Sequence, residues 1–136
     1  MKIFICCSKH FYHKVQSVRA ELESKGHIIT PPNSYEEPFK EEEMKILGQK
    51  EHIKWKSNMI RLQGKKIIQN DAILVLNFEK DNQLNYIGGA TFLEIFKAFE
   101  KGKKIFLFNP IPESIFKDEL TAINPLIING DLSKIK

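Results

Sequence analysis

An α/β domain, with helices on both faces of a five-stranded and mostly parallel sheet, is the fold this sequence predicts. Three observations carry it. Short apolar runs alternate with amphipathic stretches along the whole chain. The central runs, Ala72-Ile73-Leu74-Val75-Leu76 and Ile105-Phe106-Leu107-Phe108, are continuous rather than alternating, as strands buried on both faces are. Three of the four helical stretches end at a glycine or just before a proline.

In chain order, strands are expected at Lys2 to Cys7, His27 to Pro31, Ala72 to Asn77, Lys104 to Asn109 and Leu126 to Ile128. Phe11 to Lys25 repeats apolar residues at Phe11, Val15, Val18 and Leu22 and stops at Gly26, so it reads as a helix. Glu41 to Gln69 is a long helical region with Met44, Leu47, Trp55, Met59 and Leu62 on one stripe, and Gly48 and Gly64 are points where it divides or kinks. Thr91 to Lys101 is a third helix, ended by Gly102, and Glu113 to Ile123 is a fourth, closed before Pro125. Asp81 to Tyr86 is expected to form a rim or lid, and Glu36 to Glu43 a solvated acidic loop or helix start. This order gives one three-layer domain over residues 1–136, flavodoxin-like or more broadly Rossmann-like. Ligands of such sheets bind beyond the carboxyl ends of the strands, where the strand order reverses. That rule gathers Cys7, Ser8, Lys9, Asn77, the stretch from Gly88 to Glu94, and Asn109 around one crevice.

Composition bounds the function. A chain of 136 residues buries a core without disulfide or metal staples, and 42% hydrophobic with 28% charged residues is an ordinary globular balance. No apolar run approaches a membrane span, and Met1 to Ile5 is too short for a signal peptide, so a cytoplasmic protein with no membrane partner is expected. Neighbours on a strand, Cys6 and Cys7 point to opposite faces and make a poor disulfide. The net charge of +4 is mostly lysine spread along the chain, which tolerates small anionic ligands but lacks the signature of a nucleic-acid partner. No phosphate loop, no glycine fingerprint after the first strand and no serine elbow occur, which excludes phosphate-loop ATPases, nicotinamide dehydrogenases and serine hydrolases of the usual kind. His10 and His13 share a helix face without further ligands for zinc. Trp55 reads as a core or interface anchor.

The segment Tyr86-Ile87-Gly88-Gly89-Ala90-Thr91-Phe92-Leu93-Glu94 concentrates the chemistry. Gly88 and Gly89 let the backbone approach a ligand, and the helix start behind them offers free N–H groups to an anion. Glu94 is expected in the first helical turn, where the dipole favours its ionised form and suits it to attack an electron-poor carbon. On spacing alone a second reading leads: Thr91 and Glu94 fit a T-x-x-E capping box that merely ties off a helix. Ser8 is either an N-cap or a donor to phosphate or sugar, and the two roles are compatible. Asn77 faces the expected crevice, Tyr86 forms its wall or covers it, and Asp71 stabilises a turn.

Three patches resemble the nucleoside 2-deoxyribosyltransferase superfamily, which includes the 2-deoxynucleoside 5-phosphate N-hydrolases. They are Lys2 to Ser8, Asn70 to Asn77, and Tyr86 to Ile95 followed by Ala98 and Gly102 to Ile105. The resemblance implies cleavage or transfer of the N-glycosidic bond of a small-molecule nucleoside or nucleotide, with Glu94 as the nucleophile, and it reverses the preference for a pure cap. By the same resemblance Ser8, Lys9, Gly88 and Gly89 would hold sugar or phosphate; Gln63, Asn77, Tyr86 and Asn109 would complete the substrate site. It implies no metal or organic cofactor, and a homodimer or larger homo-oligomer built on the stripe with Trp55. The chain departs from the family pattern at three positions. Gln63 stands where members usually have an aspartate, and it can hydrogen-bond a base but not protonate it. Cys7 and Ala90 stand where many members have glycine. A nucleotide-binding or sensing module without turnover, or a protein whose glycines serve packing alone, are the alternatives.

Overall fold

The computed structural model describes residues 1–136. Five strands, β1 (Lys2–Cys6), β2 (Ile28–Thr30), β3 (Ala72–Val75), β4 (Lys104–Leu107) and β5 (Leu126–Ile127), pair in the order β2-β1-β3-β4-β5. Every pairing is parallel, with Ile3 opposite both Ile29 and Ala72, and Leu74 opposite Phe106. This is the flavodoxin-like order, and the direction of winding reverses between β1 and β3. The five helices are α1 (Tyr12–Ser24), α2 (Lys40–Leu47), α3 (Gln49–Gln69), α4 (Gly89–Glu100) and α5 (Lys117–Ile123). No helix is long and apolar enough to cross a membrane.

The period-2 geometry of the strands divides the core in two. Ile3, Ile5, Leu74 and Phe106 face one layer, where Val15, Val18 and Leu22 of α1 meet the C-terminal Leu132 and Ile135. Phe4, Cys6, Ile73, Val75 and Leu107 face the other, where α3, α4 and α5 supply Ile67, Ile95, Ala98 and Leu120. A short 3-10 turn at Leu132–Lys134 packs its Leu132 into the first layer.

The long helical region divides at Gly48, whose φ of 142° is a conformation that side chains disfavour and whose Cβ would meet the Glu51 carboxylate at 2.6 Å. Gly64 leaves α3 continuous, contrary to the expected break. Helix α4 begins at Gly89, two residues before Thr91, whereas α5 begins at Lys117 because Ser114 turns the chain and its Oγ accepts from the Phe116 N–H at 3.1 Å. Asp71 has the expected structural role: its carboxylate accepts from the Lys2 N–H at 2.8 Å, tying the starts of β1 and β3. The rim after β3 is a pinned turn. Lys80 and Gln83 exchange backbone hydrogen bonds across Asp81 and Asn82, both at positive φ, as a type I′ turn requires.

Candidate functional site

A crevice of about 300 Å³ opens at the carboxyl ends of β1 and β3, where the strand order reverses. The turn after β1 contributes Cys7, Ser8 and Lys9; the start of α4 contributes Gly88, Gly89, Thr91 and Glu94. Gln63 of α3 and Tyr86 of the rim close the sides. Seven of the nine residues expected at the site therefore share this one crevice: Glu94, Ser8, Lys9, Gln63, Tyr86, Gly88 and Gly89.

Asn77 and Asn109 do not. Asn77 is fully buried, and its Nδ2 donates to the carbonyls of Asn109 (2.9 Å) and Pro110 (3.1 Å). Its Oδ1 accepts from the Asn109 N–H at 2.8 Å, and Asn109 Nδ2 returns a bond to the Asn77 carbonyl at 3.0 Å. This reciprocal clasp locks β3 to β4 one strand away from the switch point. Both hydrogens of its Nδ2 are thereby committed to the backbone of the next strand's end, away from the crevice.

Glu94 is the sixth residue of α4, so it lies in the second turn, and the capping box does not form: Gly88 is the N-cap and no side chain bonds the end. The dipole expectation fails with it. Burial is the dominant influence and raises the Glu94 pKa to about 8, although a hydrogen bond from the Cys6 thiol and the charges of Lys66 and Lys56 pull the other way. Glu94 as a residue is 7% exposed and lines the crevice. Beside it burial pushes both Cys7 and Tyr12 far up, with Glu94 adding to the rise of Cys7, and Cys7 and then Glu94 adding to that of Tyr12.

The start of α4 is open for a physical reason. A Cβ at Gly88 would come within 3.0 Å of the Tyr86 hydroxyl, while nothing lies within 4 Å of where a Cβ of Gly89 would stand. Glycine thus brings the rim tyrosine against the helix end and leaves the first-turn N–H groups uncovered by side chains. Ser8 caps the 3-10 turn Lys9–Phe11, accepting from the His10 N–H at 3.3 Å, as one of its two expected roles requires, and it also lines the crevice. Lys9 pairs with Glu42 of α2 across the crevice mouth. Lys80, delivered by the pinned turn, sits 4.6 Å from the Tyr86 ring centre.

Sequence reasoning missed the α2–α3 wall. Trp55 lines the crevice rather than anchoring a core, with His52 stacked on it at 6.3 Å. The acidic stretch is more than solvated surface, because Glu41 accepts from His52 (2.9 Å) and Lys56 (3.2 Å) at the crevice edge. Burial alone would raise the Glu41 pKa, but these two hydrogen bonds outweigh it and hold the carboxyl below its ordinary range. The detectable signal was spacing: Trp55, Met59 and Gln63 stand at i, i+4 and i+8 and share a face. In comparisons with protein-family models and with curated proteins, nothing matches the chain.

Proposed function

We propose that the protein cleaves or transfers the N-glycosidic bond of a nucleoside or nucleotide, with Glu94 as the nucleophile. The observation that carries this is a carboxyl buried at the floor of an open crevice at the topological switch point, beside an uncapped helix start. In its ionised form, a Glu94 oxygen attacks the anomeric carbon while the carbon–nitrogen bond breaks, and the base leaves with the bonding electrons and takes a proton from water. Water then cleaves the glycosyl ester, or a second base attacks it, and the carboxylate is restored. The hydroxyls of Ser8 and Thr91 and the free amides of α4 suit the sugar and any phosphate it carries. The scheme requires no cofactor. A cytoplasmic setting suits such a substrate, and a homodimer is proposed with it. The apolar face for that contact is Ile60 and Ile68 of α3 with Leu93, Phe96 and Phe99 of α4, all exposed, rather than the stripe with Trp55.

A second reading, a nucleotide-binding or sensing module, is favoured by two observations. Glu94 holds its proton at neutral pH, and Gln63 cannot protonate a leaving base. Chromatographic detection of free base from ribo- and deoxyribonucleosides and their monophosphates separates the two. Release by wild type and not by Glu94→Ala supports the glycosidase. A rise in melting temperature with ligand, without release by either protein, supports the module.

A further inference from the structure

The wall that α3 and the loop after β2 present to the crevice is built of hydrogen-bond acceptors. Asn33 lines it, and its Nδ2 donates to the Met59 carbonyl at 3.0 Å. That bond sets the orientation of the carboxamide, because the flipped form would press two carbonyl oxygens together. The oxygen left over, Asn33 Oδ1, is buried and has no partner within the protein. Gln63 repeats the arrangement. Its Nε2 is turned to the Ala90 carbonyl at 3.5 Å, and its oxygen accepts no hydrogen bond. Gln63 follows Met59, whose carbonyl holds Asn33, by one helical turn, so both carboxamides belong to one stretch of the wall, with Trp55 one turn before Met59 on the same face. A flat apolar surface thus adjoins an edge of acceptor oxygens. Lys56, a cation on the same wall, is held by Glu41 at 3.2 Å and lies beside Trp55.

On the N-glycoside reading above, on which this inference rests, we propose that this wall seats the base and selects one bearing an exocyclic amino group, whose N–H donors Asn33 and Gln63 accept. An amino nitrogen offers two N–H groups from one atom, enough to serve both oxygens. An oxo group in its place would bring a lone pair against them and leave the buried Asn33 oxygen unpaired, which disfavours that ligand by about ten-fold or more.

Two substrate pairs isolate this one change: adenine against hypoxanthine nucleosides, and cytosine against uracil nucleosides, each with and without a 5-phosphate. Base release is followed for wild type, Asn33→Leu, Gln63→Leu and Gln63→Glu, each first shown to melt cooperatively. The amino member of each pair is expected to have a kcat/KM about ten-fold or more above its oxo partner. That ratio falls toward one in Asn33→Leu and Gln63→Leu and persists in Gln63→Glu, which keeps an acceptor. Glu94-dependent release at equal rates from both members overturns the inference and leaves the proposed reaction standing. Release from none of them removes the reaction, and the inference is then read from melting temperatures with the same pairs. A larger rise with the amino member supports it; equal rises, or none, overturn it.

Discussion

Two groups of buried polar side chains sit at the carboxyl ends of the strands, a single strand apart, and they differ in one respect. At the β3–β4 end, Asn77 and Asn109 satisfy one another through three hydrogen bonds of 2.8–3.0 Å, and a fourth runs from Asn77 to the Pro110 carbonyl at 3.1 Å. At the β1–β3 end, Thr91 and Gln63 line the crevice at 4% and 8% exposure, the Gln63 oxygen accepts no hydrogen bond, and the Oδ1 of crevice-lining Asn33 is buried without a partner. Burying polar atoms without partners costs stability, so a fold retains such a group where something outside the chain completes it. The first group is architecture by this criterion, and the second is what the proposed site would need.

The sharpest way to break this contrast is at Glu94. Glu94→Ala should lower base release by about 10³-fold or more while the protein remains folded, since no core side chain depends on the carboxyl for its packing. A variant that kept wild-type release would remove Glu94 from the chemistry. At the clasp the effects should reverse. Asn77→Ala leaves the half-buried Asn109 N–H without its partner and should cost about 1–3 kcal/mol in denaturant unfolding, with nucleoside affinity in the surviving folded fraction unchanged. Loss of affinity with intact stability would make Asn77 a ligand contact after all.

Glu94 should also be a liability to the fold, and pH exposes it. Its folded pKa of about 8 lies above the ordinary 4.5, so between these values the folded chain keeps a proton that the unfolded chain has released. Stability contributed by this group is therefore present at low pH and lost as pH rises through about 8. Glu94→Gln, which is neutral throughout, should match wild type near pH 4 and exceed it by about 5 °C or more in Tm at pH 9. Activity runs oppositely: kcat/KM for base release should rise about ten-fold per pH unit up to about 8 and then level, as the attacking form accumulates. Least should follow from the half-exposed Lys9–Glu42 pair at the crevice mouth. Glu42→Gln should change stability by less than about 1 kcal/mol, measured by the same unfolding assay.

Which of these groups could be read in advance follows from the range of the interactions. Gly88 and Gly89 marked a ligand-facing turn because glycine's freedom is a local property. Thr91 and Glu94 matched a capping box by spacing, yet the chain enters α4 two residues earlier, so that match misplaced Glu94 in the first turn and misjudged its charge. The rule for doubly wound sheets brought Asn77 and Asn109 to the correct end of the sheet, but the rule stops there. Their mutual bonds span 32 residues and have no local trace. Helical period identified the stripe through Trp55 and Met59 but not the direction it faces, because period fixes which residues share a face and not what that face meets.

By itself, then, the sequence determined the elements and their layering: the continuous apolar runs, the helix stripes and the closing glycines each act over a few residues, and their order leaves few topologies. It also determined that a glycine-rich helix start and a carboxylate lie near each other. Only the tertiary structure decided that burial raises the Glu94 pKa, that Asn77 and Asn109 answer each other, and that Asn33 and Gln63, both lining the crevice, each keep an oxygen without a partner. Desolvation and hydrogen-bond satisfaction depend on which atoms surround a group in space, and those atoms come from segments that lie far apart along the chain.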